Sequence, residues 1–403
     1  MNKMALFIPV FLFLPFIEWF ITRKKKSLFT KENSIMNVCL GAIDQICSLA
    51  NFLLFILFLD YLYQYRIFNP KITWYHFVLA YIGVDFVSYW YHRFSHRVNI
   101  LWAGHITHHS SSHFNFTNGF RTSPFQGLGR IIFWGILPIL GFSSSVLFTT
   151  FIVSGIYDFF LHTQNFPKIK WLETILITPS LHKVHHGKND VYLDKNYGST
   201  FVIWDKLFGT FEDESETVLY GIKSSEYKDN DPINAIFFQY NYLWKMMKNT
   251  TSFKDKIKLL IMPPDWLPKY LKETKVSSFN KELKIYPLHK IYALYQFIFS
   301  GIGIIFILVY RAYFNLTFFI MLSTIFLSGM IIGTRIFNKV ISNHFITNEI
   351  IRNLIFIVAL LIALKFFSYK SIFVILSFLF ISLIFIISLL YSYKRKTNKF
   401  VAE

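Results

Sequence analysis

Long apolar runs recur along this 403-residue chain, and they constrain its fold more than any other feature. A helix needs about 20 residues to cross the ~30 Å hydrocarbon core of a bilayer. With 54% hydrophobic and 20% aromatic residues, the chain carries more apolar surface than one water-soluble core can hide. The runs are Met4–Ile21, Met36–Tyr63, Trp74–Trp90, Ile131–Leu161, Ile291–Tyr310, Leu316–Ile336, Ile350–Phe367 and Ile372–Tyr391. We therefore predict an all-α, polytopic helical membrane protein.

Basic residues collect beside these runs, at Arg23–Lys26 and Lys394–Lys396. Lys and Arg are enriched at the cytoplasmic ends of membrane helices, so both clusters are predicted to lie in the cytoplasm. The first run is then a retained anchor with its amino end outside. The formal net charge of the whole chain is +18. We expect no nucleic-acid partner, because that would require a basic face on a folded domain.

Two segments are predicted to place polar groups on the cytoplasmic side. The run Ile131–Leu161 carries Gly135, Pro138 and Gly141 near its middle, which favours a helical hairpin that returns to the face it left. Such a hairpin would bring His162 beside His92. The polar stretch Pro167–His289 is interrupted by prolines, and we expect it to form short pieces of a cytoplasmic cap.

Histidines are concentrated in the middle of the chain. Ten of the thirteen lie between residues 92 and 186. Eight form three dense groups, which are His92 and His96, then His105, His108 and His109, then His182, His185 and His186. Residues three or four apart share a helix face, so each group can direct several imidazoles at one point. We predict that these eight histidines, with His162 as a ninth, hold two metal ions.

The identity of the metal is less constrained than the ligands. Cys39 and Cys47 lie in an apolar segment and do not indicate a thiolate site or a disulfide. Imidazole ligands suit iron, copper, zinc and nickel. A closed structural zinc site needs four ligands, so eight or nine histidines favour iron, with two zinc sites as the alternative.

Two aspartates are candidates for catalytic support. Asp85 lies seven residues before His92 and Asp158 four before His162, so each shares a helix face with a candidate ligand. A carboxylate that accepts the remaining ring N–H of a metal-bound imidazole fixes its tautomer, and this is the role that we expect. The alternative is an ordinary hydrogen bond between helices.

The remaining candidates are weaker. His113 and Asn115 follow the second histidine group, where they would contact metal or substrate or be exposed to solvent. Four residues of the cap, Asn196, Tyr197, Trp204 and Asp205, would either pack or close over the site. His76, His289 and His344 are isolated and are expected to be packing or interfacial residues.

The sequence resembles the fatty acid hydroxylase superfamily of membrane di-iron enzymes. Within it, the alkylglycerol monooxygenase branch is more similar than the sterol desaturase branch. The matching stretches are Asp85–Arg93, Trp102–Ser111, Pro179–Gly187, Asp194–Gly198 and Ile203–Phe211. The resemblance covers residues 35 to about 225 and extends to the carboxyl-terminal helices in hydropathy alone.

The resemblance implies a centre of two Fe ions that uses O₂ to hydroxylate a lipid substrate, with the eight clustered histidines as ligands. The implied target is the carbon next to the ether oxygen of an alkylglycerol. The reaction needs an electron donor, which is tetrahydrobiopterin in related animal enzymes, although no pterin motif is evident and another donor would serve.

The alternatives are a sterol, fatty acyl or carotenoid hydroxylase or desaturase with the same di-iron centre and, in a different class, a histidine-rich metal transporter. Transporters place their ligands near the membrane midplane, whereas these clusters lie at the ends of predicted spans.

These inferences divide the chain into four parts. Residues 1–34 form an amino-terminal membrane anchor, and residues 35–225 form a catalytic module of membrane helices and the di-iron site. Residues 226–290 form a cytoplasmic connecting segment, and residues 291–403 form a four-helix membrane region. The predicted protein is an integral, multi-pass membrane protein with its active site on the cytoplasmic face.

Overall fold

The computed structural model of the protein describes residues 8–23, 28–224, 227–271 and 287–339, together with six positions between 349 and 358. These residues are helical, apart from turns and two isolated β-bridges. The chain divides into two compact units, Phe7–Ser278 and a second that comprises Met1–Leu6 and Phe279–Glu403. The predicted all-helical fold is confirmed for the described residues.

Thirteen α-helices, α1 to α13 in chain order, are described. In the first unit they are α1 (Ile8–Thr22), α2 (Lys31–Tyr63), α3 (Trp74–Arg97), α4 (Asn99–His109), α5 (Gln126–Trp134), α6 (Ile136–Ile139), α7 (Ser144–Phe160), α8 (Pro179–His185), α9 (Ile203–Leu207), α10 (Pro232–Asn249) and α11 (Phe253–Ile261). In the second they are α12 (Pro287–Val309) and α13 (Leu316–Phe337).

Within the described residues, two helices are long and apolar enough to cross a membrane, α12 over His289–Val309 and α13. A third span results if the two halves of α2, Lys31–Leu49 and Asn51–Tyr63, count as one despite a bend of 43°. The other crossings, including Trp74–Trp90, stay predictions. The last two predicted runs lie outside the described residues, except for five separate positions between Ile351 and Val358.

The core of the first unit forms where α2 and α3 pack against the hairpin. Its buried members are Leu59, Val84, Val87, Tyr91, Trp134, Leu137 and Leu147. The hairpin breaks near its middle, as predicted, between α5, α6 and α7. Gly141 turns the chain with φ +99°, and a Cβ there would lie 2.5 Å from the carbonyl oxygen of Phe68, so only glycine fits.

The polar stretch is more regular than its prolines predict. Instead of short pieces alone, it contains α10, which runs for 18 residues and begins at Pro232. Proline is favoured at the first helical position because its missing N–H would have had no partner there, and Asp231 accepts hydrogen bonds from Ile233 N and Asn234 N. Helix α10 also contacts α4, where Thr107 Oγ1 donates to Ala235 O at 3.0 Å.

The second unit is held together by close approach of α12 and α13. A Cβ on Gly333 would lie 2.9 Å from the carbonyl oxygen of Ala293. Between helices in lipid, where hydrophobic driving force is weak, small residues permit the van der Waals contact that stabilises the pair. Gly301, in contrast, faces open space.

We predict that Gly333→Ala destabilises the second unit by about 1–3 kcal/mol, because the added methyl group meets backbone that cannot move aside cheaply. Gly301→Ala, the matched control, should be neutral or slightly stabilising, since alanine is the better helix former. The midpoint of thermal unfolding of the purified protein in detergent measures both. Equal midpoints for the two variants would contradict the close approach.

Candidate metal centre

The predicted histidines come together in two groups. The first metal group comprises His92, His96, His105, His109 and His185, and the second comprises His108, His162, His182 and His186. Within each group the candidate ligand nitrogens all lie within 4.8 Å of one another. All nine predicted residues belong to one of the two groups. The predicted hairpin was expected to bring His162 beside His92, but His162 lies in the same group as His108.

Two short helices supply both groups. Helix α4 gives His105 and His109 to the first metal group and His108 to the second. Helix α8 gives His185 to the first group and His182 to the second, and its C-cap residue His186 also belongs to the second. Positions four apart share a face, whereas neighbouring positions point about 100° apart, so one helix can serve two adjacent centres.

The spacing of the ring nitrogens fits metal binding. In the first metal group, His105 Nε2 lies 3.1 Å from the Nε2 atoms of both His92 and His109. In the second, His182 Nε2 lies 3.2 Å from the Nε2 atoms of both His162 and His186. Ligands about 2.1 Å from one ion are separated by about 3.0 Å at right angles and about 3.4 Å in a tetrahedron. The observed separations lie between these values.

His96 gives an independent indication. Its Nε2 atom is buried and has no hydrogen-bond partner among the described residues, although its ring lies 4.6 Å from that of His109 and 4.9 Å from that of His185. A buried polar nitrogen without a partner is costly, and a metal ion in the first metal group would satisfy it. The donor set therefore fits a metal ion.

Backbone carbonyl groups orient four of the rings. The Nδ1 atoms of His92, His108, His162 and His185 lie 2.8–2.9 Å from the carbonyl oxygens of Tyr197, Arg121, Asp158 and Lys195, respectively. A carbonyl oxygen only accepts, so each Nδ1 carries the proton and each Nε2 is left with its lone pair. The tautomer that binds metal through Nε2 is thus set by the backbone.

Burial keeps the rings uncharged. Desolvation lowers the pKa of His108 to about 4 and holds the pKa values of His109 and His186 well below the usual range. Imidazole is neutral above its pKa, and the neutral form is the one that binds metal. At neutral pH these rings can therefore bind a metal ion without first losing a proton.

Asp85 lies near the site but does not make the predicted contact. Its carboxylate accepts hydrogen bonds from Thr200 N at 2.7 Å, Phe201 N at 3.2 Å and Trp204 Nε1 at 2.8 Å. Among the described contacts, none joins it to an imidazole. Asp85 instead holds the segment that follows Tyr197 against α3, which is an indirect form of support.

Asp158 supports His162 through a different atom from the one predicted. Its carboxylate accepts a hydrogen bond from Ser199 Oγ at 2.5 Å, while its carbonyl oxygen accepts from His162 Nδ1. The carboxylate is thus tied to the segment that Asp85 also holds. Any catalytic role of the two aspartates stays a prediction.

Asp205 and Asn196 shape the turn that presents the Tyr197 carbonyl. Asp205 accepts from Tyr197 N, Gly198 N and Thr210 Oγ1 at 2.7–2.8 Å. Asn196 adopts a left-handed φ of 53°, and its side chain binds the backbone of Leu181 and Glu212. Asn tolerates this conformation better than most residues, which is the signal in the sequence that marks a turn.

The sequence interpretation missed two buried charged residues. Arg121 donates to Thr107 O and Asn37 Oδ1 and pairs with Asp229. These contacts fix the residue whose carbonyl holds His108.

Glu18 of α1 is the second of these residues. It accepts hydrogen bonds from Phe116 N and from Oγ1 of Thr163, which follows His162 in the chain. An ionisable residue inside an apolar run is a signal that could have identified Glu18.

Three further candidates lie outside both metal groups. His113 contacts Ser112 Oγ through Nδ1, and Asn115 caps the 3-10 helix Phe116–Phe120 and donates to Leu28 O. His76 packs against the ring of Phe142. His76 is thus a packing residue, as expected, Asn115 has a structural contact that was not predicted, and His344 lies outside the described residues.

We predict that His185→Ala removes metal from the first metal group while the protein still folds and inserts, because one imidazole lost from a buried set leaves the other ligands in place. His113→Ala is the matched control, since its ring belongs to neither group. Metal content of the purified protein measures both. An unchanged content in His185→Ala would exclude that ring as a ligand.

We also predict that Asp205→Asn weakens metal binding about 10–100-fold, the range that loss of an orienting partner typically causes. One carboxylate oxygen would become an NH₂ group, which would face the N–H donor of either Tyr197 or Gly198 and disturb the carbonyl that holds His92. Asp213→Asn, an exposed partner of Lys168, is the control. Competition with a chelator measures the affinity, and equal affinities in the two variants would refute the indirect role.

Comparison with known proteins agrees with this geometry. The fatty acid hydroxylase family model matches residues 77–210, which include all nine histidines. Alkylglycerol monooxygenase from Homo sapiens is 35% identical over 269 residues, covering 65% of this chain and 58% of that protein. The Danio rerio protein of the same name is 39% identical over 202 residues, covering 49% and 43%.

A bacterial relative matches a shorter part. Ornithine lipid hydroxylase from Rhizobium tropici is 33% identical over 135 residues, or 33% of this chain and 41% of that protein. No solved structure matches the chain. The chain spans about half the length of the curated relatives that it matches. Residues 77–210 thus match the fatty acid hydroxylase family model, and a longer part of the chain is similar to alkylglycerol monooxygenases.

Proposed function

We propose that this protein is a membrane-bound di-iron monooxygenase that hydroxylates a lipid C–H bond with O₂. The observation that carries the proposal is the set of nine imidazoles in two adjacent groups. The groups share the helices α4 and α8, so two ions bound there would be close neighbours. A centre of that kind exceeds what a single structural ion requires.

Iron is the metal that we propose for both groups. The ligands are imidazoles without a thiolate among the described residues, a set that redox-active iron accepts. Bound iron would supply the reduction of O₂ and the attack on an inert C–H bond. The chain's own contribution is to hold the rings neutral, to fix their tautomers through backbone carbonyls and to bury them away from bulk water.

The substrate that we propose is an alkylglycerol, hydroxylated at the carbon next to its ether oxygen. The relatives from Homo sapiens and Danio rerio are named alkylglycerol monooxygenases, which supports an alkylglycerol substrate. One oxygen atom of O₂ enters the C–H bond and the other leaves as water, with two electrons and two protons from the donor. The resulting hemiacetal then breaks down to glycerol and a fatty aldehyde.

The electron donor and the membrane placement are part of the proposal. Tetrahydrobiopterin or another reductant would supply the electrons. The site is proposed to face the cytoplasm, because the basic cluster Arg23–Lys26 and the histidine ends of α3 and α7 fall on the same side in the predicted multi-pass topology.

A second candidate is hydroxylation of an acyl chain in a different lipid. The similarity to the ornithine lipid hydroxylase supports a centre of the same kind with another lipid substrate. Sterol or carotenoid substrates use the same chemistry. A metal transporter is disfavoured, because both metal groups lie at helix ends and not inside a span.

We predict that the purified protein contains about two irons per chain, one for each metal group. Given O₂ and a reductant, it should release a fatty aldehyde from an alkylglycerol and not from acyl or sterol lipids. Metal analysis and product identification on the lipid panel test this, with His185→Ala as the inactive control. Zinc alone without turnover would favour a binding protein, and a hydroxylated acyl product without aldehyde would favour the second candidate.

A further inference from the structure

Two segments of the cap form an exposed apolar surface. The chain around Leu176 pairs with the chain around Phe201, and Val202 N donates to Ile175 O at 3.0 Å. This pairing gathers four large apolar side chains that are more than half exposed, and we call them the α9 surface. They are Trp171 (70%), Ile175 (57%), Ile203 (55%) and Leu207 (66%). Apolar side chains gathered in this way on a folded unit indicate an interaction site.

The α9 surface lies at the depth of a predicted membrane span. Tyr81 Oη is 2.8 Å from Thr200 Oγ1, and the rings of Trp90 and Phe208 are 4.8 Å apart. Residues 200 to 208 therefore run beside α3 from Tyr81 to Trp90, a stretch of about 14 Å along the helix. This part of the cap thus lies along the side of α3 and not only at its end.

The exposed face of α3 is continuous with this surface. Val78, Ile82 and Phe86 are spaced four residues apart and are 48%, 39% and 37% exposed. Phe86 contacts Trp204 of α9, with ring centroids 4.9 Å apart. An apolar groove of about 290 Å³ between α3 and α7 also ends at Phe201. One unbroken apolar face extends from α3 to α9.

Polar groups near this face are arranged as lipid requires. The backbone N–H groups of Thr200 and Phe201 are satisfied by Asp85, which removes the cost of irregular backbone at membrane depth. Lys170 and Lys206 flank the apolar side chains, and Lys206 Nζ donates to Thr174 O at 3.0 Å. Tryptophan with flanking lysine is typical of the boundary between hydrocarbon and headgroups.

We propose that the α9 surface is embedded in the cytoplasmic leaflet of the bilayer, with acyl chains against its apolar side chains and anionic headgroups near the lysines. This rests on the proposed function in one respect, which is that α3 contacts lipid. Tyr197, whose carbonyl oxygen holds His92, lies six residues before Ile203. The embedded surface is therefore joined through a short segment to the first metal group.

Fluorescent labels placed on the full chain test this embedding. Cys47→Ser removes the exposed thiol, while buried Cys39 stays in place. Single cysteines at Leu207, at Val78 and at Leu219 then carry an environment-sensitive fluorophore in vesicles of phosphatidylcholine and phosphatidylglycerol. Leu219 is the matched control, because it is 55% exposed but borders Lys188, Asp190 and Lys223.

The label at Leu207 should emit at shorter wavelength, be quenched by lipids with brominated acyl chains and be protected from aqueous iodide. The label at Leu219 should show the reverse. Iodide quenching at Leu207 equal to that at Leu219, with Val78 quenched by bromolipid, overturns the embedding and leaves the proposed function standing. Aqueous labels at both Leu207 and Val78 overturn the embedding and also the predicted contact of α3 with lipid. Protection at Leu207 from both quenchers would mean that protein covers the surface, which also overturns the proposal.

Discussion

The close approach of imidazole nitrogens is the constraint around which this unit is built. Six Nε2···Nε2 separations between neighbouring rings lie between 3.1 and 3.3 Å. In the pair of His108 and His162, both Nδ1 atoms donate to carbonyl oxygens, so the two Nε2 atoms must present lone pairs to one another at 3.3 Å. A cation between the nitrogens converts this repulsion into attraction, so the fold and the metal are energetically linked.

The scaffold holds the rings from outside the two metal groups. Carbonyl oxygens of Arg121, Asp158, Lys195 and Tyr197 point at the Nδ1 atoms, and each belongs to a residue that other contacts fix. Arg121 is fully buried and paired with Asp229, and losing one partner of such a pair typically costs about 3–5 kcal/mol. The positions of the rings therefore depend on polar contacts made by the residues that hold them, and not only on contacts of the histidines themselves.

The sequence identifies the histidines that lie together but not the groups that surround them, for a physical reason. Histidine is a chemically distinctive residue, and its spacing by three and four identifies the faces of α4 and α8. A carbonyl group is present at every position, so nothing in the sequence marks Tyr197 or Lys195 as the residue that orients a ring. The partition of His108 and His109 between two groups depends on how α4 packs, and packing has no local pattern.

The contacts of Asp85 and Asp158 also differ from the prediction for a physical reason. In each case a residue close to a histidine was expected to bind its ring, yet the carbonyl groups already satisfy Nδ1 of His92 and His162. The carboxylates of Asp85 and Asp158 are then free to accept hydrogen bonds from N–H and O–H donors of the segment from Tyr197 to Trp204. Asp205, which directly follows this segment, accepts from the backbone N–H of Tyr197. Irregular backbone beside α3 has few other acceptors if that helix lies in lipid, because water is absent there. Three acidic side chains thus hold one segment in place, and that segment in turn holds a ligand of the first metal group.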